Sequence, residues 1–135
     1  MKYRFSKMSL LLGVTLCVHS LYAKKVNYTT LKPTEFKAQI EQTDLPYIID
    51  IRKAADFALG RIKGSINIDS NDFQFISTVK QRCPNAEVIF IYCTLGKTSK
   101  IAAEKLADNG YIVINLKGGI TAWRKKMPIV TDVSK

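Results

Sequence analysis

"EVIFIYCTLGKTSKIAAEKLADNGYIVINL", Glu87 to Leu116, decides the fold. Glu87 to Tyr92 is β-branched and aromatic, which predicts a central strand. Thr98 to Gly110 carries helical spacing and ends on a glycine suited to a left-handed stop. "YIVINL" (Tyr111 to Leu116) is a second apolar run and predicts another strand. A strand, a helix and a strand joined by short loops imply parallel pairing. In such sheets ligands sit at the carboxyl ends of the strands. Cys93 stands at one of those ends.

The same alternation extends in both directions. "PTEFKAQIEQTD" (Pro33 to Asp44) predicts a helix, with Thr34 as its candidate cap. "PYIIDI" (Pro46 to Ile51) predicts a buried strand, and "AADFAL" (Ala54 to Leu59) one or two helical turns stopped by Gly60. "GSINI" (Gly64 to Ile68) predicts a strand and "NDFQFISTVKQ" (Asn71 to Gln81) a helix. "GGITAWRKK" (Gly118 to Lys126) opens a last helix before Pro128. The expected fold class is α/β, with a mainly parallel sheet covered on both faces. No internal repeat or low-complexity segment interrupts it.

The N-terminus is different. Lys2, Arg4 and Lys7 precede the apolar run Met8 to Val18, and "HSLYA" ends on the small residue Ala23. This is the layout of a secretory signal peptide. The run is shorter than the roughly 20 residues of a membrane-spanning helix. Leu16 is too bulky for lipoprotein cleavage before Cys17. The expected organisation is a signal peptide over residues 1–23 and one domain over residues 24–135, periplasmic and without a stable membrane anchor after cleavage. Losing the three basic residues lowers the net charge of +10 by three. A basic domain of this kind attracts small anions. Its lysines are scattered and no nucleic-acid motif appears, so no nucleic-acid partner is expected.

The only histidine, His19, falls within the signal peptide. That excludes Ser-His-Asp and Cys-His catalysis in their usual forms. Cys83 and Cys93 are not spaced as a C-x-x-C pair, and two cysteines without histidine make no ordinary structural zinc site. The strand between them spans roughly 20 Å, so a disulfide joining them is not expected.

The loop "CTLGKTS" supplies activation by another route. A loop passing from strand to helix turns its amides inward, and the first helical amides lack intrahelical partners. Together with the helix dipole they form an anion cradle. Gly96 permits a left-handed turn and Lys97 adds a full charge. A thiol in such a cradle can act as a thiolate without a histidine. Phosphatase chemistry needs arginine six residues after the cysteine, where this chain has Ser99. A P-loop needs glycine five residues before Gly96, where it has Ile91. Sulfur transfer remains.

With that loop in view, the chain resembles the rhodanese family of sulfurtransferases, in particular its small single-domain exported members. "YIIDIRKAADFALGRIKGSINI" is similar to the family's Asp-x-Arg and glycine-bearing segments, "IYCTLGKTS" to its active-site loop, and "GYIVINLKGGITAWRKKMPI" to its Gly-Gly-x-x-x-Trp segment. The resemblance implies five parallel strands with helices on both faces. It implies Cys93 as the persulfide-forming nucleophile, with the amides of Thr94, Leu95, Gly96, Lys97, Thr98 and Ser99 as the substrate cradle. Asp50 and Arg52 are expected to hold the loops near the strand end, and Arg61, where the family often has histidine, to lie near the site mouth. Thr98 stands where many members carry arginine, and the basic residue is Lys97 instead. The implied activity moves sulfane sulfur from thiosulfate or another donor to cyanide or a thiol, with no cofactor and no metal. The alternative is a non-catalytic rhodanese-like module that binds a partner or senses anions.

Overall fold

A computed structural model describes residues 27–132. The expected signal peptide, with Cys17 and His19, lies outside these residues. The chain forms β1 (Tyr28–Leu31), α1 (Pro33–Glu41), β2 (Tyr47–Asp50), α2 (Ala54–Leu59), β3 (Ser65–Asn67) and α3 (Phe75–Arg82). It continues through β4 (Val88–Tyr92), α4 (Lys97–Asp108), β5 (Ile112–Leu116) and α5 (Gly119–Arg124). The five strands make one sheet in the order β1-β5-β4-β2-β3, and every pairing is parallel. The expected α/β architecture is present, with helices on both faces.

β4 lies at the centre because its side chains suit both faces of a buried sheet. Ile89 and Ile91 face a cluster with Val79 of α3 and with Ala102, Ala103 and Leu106 of α4. Phe90 and Tyr92 face Phe36 of α1 and Ile120 and Trp123 of α5. Phe36 meets Phe90 and Trp123 edge-on, at 5.4 and 6.2 Å between ring centroids. Such pairs add about 0.5–1.5 kcal/mol beyond their area burial.

Two expectations need correction, and one strand, β1, was not located from the sequence. It is four residues long, carries two exposed threonines and sits at the sheet edge against β5, so it lacks an apolar run. The helix expected from Asn71 begins only at Phe75. The Asp69 carboxylate accepts the Asn71 amide proton and the Asp72 carboxylate accepts that of Gln74, at 2.9 and 2.8 Å. These local bonds hold turns in place of a helix. Thr34 does not cap α1. Lys32 does, with Pro33 as the first helical residue, and the Lys32 amide donates to the Glu35 carboxylate at 3.0 Å.

The topology places the site. β4 runs on through α4 to β5 on one side, while β2 runs on through α2 to β3 on the other. Neighbouring strands whose chains depart in opposite directions leave a crevice between their carboxyl ends. Asp50 pairs with Tyr92 in the last register position of β2 and β4. The crevice therefore opens directly above these two residues, beside Cys93.

Candidate active site

Cys93 follows the end of β4 and is only 6% exposed. Its Sγ accepts two backbone hydrogen bonds, from the Gly96 amide at 3.1 Å and the Ser99 amide at 3.4 Å. Gly96 has φ +83°, the left-handed conformation that lets the chain double back onto the sulfur. Ser99 lies in the first turn of α4, where amides have no intrahelical acceptor. Both donors therefore come from the part of the loop that the helix start leaves unpaired. Both point their hydrogens at the sulfur.

The loop is also gripped from behind. The Ile120 amide donates to the Cys93 carbonyl at 2.9 Å and the Thr121 amide to the Thr94 carbonyl at 3.1 Å. With these carbonyls turned toward α5, the loop is fixed against the end of the sheet. Asn115 of β5, 1% exposed, donates through Nδ2 to the Gly96 carbonyl and to Thr30 Oγ1, each at 3.3 Å. Close approach is what requires glycine at position 119. A Cβ on Gly119 would come within 2.4 Å of the Cys93 carbonyl oxygen.

On the β2 side, Asp50 is fully buried and accepts from the Arg52 amide at 3.0 Å. Its carboxylate also takes Nε and Nη2 of Arg52, at 3.0 to 3.1 Å and 2.6 Å. Arg52 donates onward to the Gly60 carbonyl at 2.7 Å. Burial works against the guanidinium charge, but the Asp50 carboxylate outweighs it and the Arg52 pKa lies above its ordinary value. This pair ties the loop after β2 to the loop before β3.

A cavity of about 330 Å³ opens over Cys93. Thr94, Leu95, Lys97 and Thr98 form one wall. Arg52, Lys53 and Asp56 form the second, and Ser70 and Asn71 the third. Gly96 and Ser99 do not line it; they act on the sulfur through their amides. Of the six residues expected in the cradle, these two donate to Sγ, and the other four shape the wall. Among the described residues no three Cys, His, Asp or Glu side chains cluster as metal ligands.

Arg61 is a correction. It does not line the cavity. Its guanidinium stacks on Phe57 at 4.6 Å and pairs with Asp132, and its backbone bridges Val130. It holds the C-terminal segment. Lys53, Asp56, Ser70 and Asn71 were not singled out from the sequence. Nothing in their spacing marks them, since only the strand order brings the loops after β2 and β3 beside Cys93. Cys83 and Cys93 are both free, Cys83 capping α3 before β4 and Cys93 following that strand. Burial pushes the Cys83 thiol up to about 11.

Residues 32–126 match the rhodanese-like domain family. The chain is 33% identical over 97 residues to thiosulfate sulfurtransferase GlpE of Ectopseudomonas mendocina, covering 70% of this chain and 85% of that protein. It is 26% identical over 113 residues to adenylyltransferase and sulfurtransferase uba4 of Ogataea parapolymorpha, covering 81% of this chain but 28% of that protein. A crystal structure of the BH2092 protein from Bacillus halodurans superposes with a TM-score of 0.66 at 25% identity, over 83% of this chain and 82% of that one. Sulfur at the carboxyl end of the central strand, the parallel sheet around it and a family match spanning both agree: the chain belongs to the rhodanese-like family.

Proposed function

We propose that the protein is a sulfurtransferase that carries sulfane sulfur on Cys93. The observation that carries this reading is the pair of backbone amides, Gly96 and Ser99, donating to Cys93 Sγ. The Cys93 thiolate attacks the outer sulfur of thiosulfate. The new S–S bond forms as the old one breaks, and sulfite leaves with the bonding electron pair. The acceptor, cyanide or a thiolate, then attacks the outer sulfur of the persulfide and Cys93 departs as thiolate. No net oxidation occurs and no cofactor enters. Lys97, exposed on the cavity wall, supplies positive charge to the donor. The relatives named as thiosulfate sulfurtransferases support this choice of donor. The basic and then apolar N-terminal segment supports export of residues 24–135 to the periplasm.

Intact mass after thiosulfate tests the reading, with Cys93→Ser as control. The expected result is a gain of one sulfur, reversed by cyanide and absent from the variant. A free Cys93 thiol that gains nothing would overturn thiosulfate as donor.

A further inference from the structure

A second cavity, of about 270 Å³, lies on the side of the sheet that α1 and α5 cover. It shares no residue with the cavity over Cys93. Its walls are Ile40 of α1, Ile48 of β2, Ile62 ahead of β3, Trp123 of α5 and Met127 beyond it. Ile48, Ile62 and Trp123 belong to the core on this face and are no more than 5% exposed. The cavity therefore opens that core to the outside.

The side chains of its interior leave no polar group without a partner. The Trp123 indole N–H donates to the Pro128 carbonyl at 3.0 Å. Among the described residues the buried side-chain atoms that lack a partner are Ser99 Oγ and Asn115 Oδ1, and neither residue lines this cavity. An internal water needs roughly two to four polar partners, whereas an apolar cavity of about 150 Å³ stays dry and takes up benzene. The space here suits one ring or a chain of several carbons. The rim is charged. Lys37 pairs with Glu41 one turn along α1. Lys63 is exposed and forms no hydrogen bond or ion pair with another described residue. One uncompensated positive charge thus stands beside a dry apolar interior.

We propose that this cavity binds a small amphipathic monoanion, a medium-chain or single-ring carboxylate. Its apolar body lies against Ile62 and Trp123, and its anionic head meets Lys63. Thiosulfate has no apolar body and does not fit the site. Binding here is independent of sulfur transfer at Cys93.

The test uses octanoate as the probe and Trp123, the only tryptophan of the chain, as the reporter. Trp123 emission is titrated at low salt, where exposed charges are least screened. The expected result is a saturable change with a Kd of about 1 mM or tighter, as fits a ligand of this size. Tm should rise with it, since a ligand of the native state stabilises that state. Lys63→Glu should weaken octanoate binding by about fivefold or more, and octylamine, with the same chain and the opposite charge, should bind wild type more weakly by about the same factor. Glu41→Gln releases Lys37 and should tighten octanoate by about twofold or more. Lys97→Ala should leave the octanoate Kd unchanged. No saturable change by about 10 mM would overturn the proposal. So would a fall in Tm, or octanoate and octylamine binding alike. A Kd that moves in Lys97→Ala and not in Lys63→Glu would also overturn it, by placing the anion in the Cys93 cradle.

Discussion

Gly119→Ala tests whether the back of the cysteine loop governs chemistry at its front. Gly119 has φ +58°, and an added Cβ would meet the Cys93 carbonyl oxygen at 2.4 Å and Thr94 backbone atoms at 2.5 Å. Ordinary contact begins at 3.4 Å, so the loop and α5 must part by 3.4 − 2.4, or 1.0 Å. That separation breaks the bonds from Ile120 to Cys93 and from Thr121 to Thr94. Gly118→Ala is the control. It sits at φ +75°, so it carries the same left-handed cost of about 1–2 kcal/mol. Its Cβ, however, meets the Ala122 side chain at 2.6 Å and not the loop. A misplacement of about 1 Å near reacting atoms can cost about 10²-fold in rate. Gly119→Ala should therefore load sulfur on Cys93 about 10²-fold more slowly, near 2.7 kcal/mol of barrier. Gly118→Ala should stay within about threefold of wild type. The assay is single-turnover mass spectrometry at a temperature where urea titration shows both variants folded. Equal rates in the two folded variants would refute the reasoning, because strain alone would then explain both.

Asn115→Leu removes a buried amide whose Oδ1 has no partner, so stability by urea unfolding should change by less than about 1 kcal/mol. Loading of Cys93 should still slow several-fold through loss of the Gly96 tie, and an unchanged rate would remove Asn115 from the site. Arg52→Met leaves the Asp50 carboxylate buried and unpaired, and the loss should be about 3–5 kcal/mol, whereas under 1 kcal/mol would show that the pair is not sealed from water. In alkylation at pH 8 followed by peptide mapping, label should appear on Cys93 and spare Cys83, whose burial raises it to about 11. That raised value also fixes a sign. The neutral thiol is favoured by folding, so this contribution is complete below about pH 9, where the unfolded thiol ionises, and is lost as pH rises through about 11. Cys83→Ala should flatten the alkaline fall in stability over that window, and an identical fall in both proteins would refute the assignment.

The βαβ unit around Cys93 was legible because its strands are continuous apolar runs and its helix has a glycine stop. The anion cradle was legible because amides at a helix start must point somewhere, and the chain puts a cysteine, a glycine and a lysine there. β1 was not, since Tyr28 to Leu31 gains its strand character from pairing with β5 and not from its own residues. Arg61 was misplaced because a resemblance fixes a position in the chain and not a side-chain direction. Asp132, far away in sequence, captures it. Asp56 and Lys53 escaped notice because they come from a different strand's loop, and strand order is a property of the whole chain. The Gly118-Gly119 pair was legible as the start of the last helix, but the neighbour of Gly119, the Cys93 carbonyl, could be seen only in three dimensions.

The pairing of β1 with β5 has a consequence for how the domain comes into being. Tyr28 lies opposite Val113, so β1, the first of the described strands to be synthesised, must wait for β5, the last of them, before its edge is satisfied. Until then it is an unpaired template with no local hairpin to occupy it. Contacts this distant in sequence close slowly, because loop entropy is lost before they form. A chain released in order from its amino terminus therefore cannot finish its sheet until Leu116 is free. The loop that holds the sulfur lies between those two strands in sequence, so Asn115 and α5 can brace it only once the chain beyond β5 is available to pack.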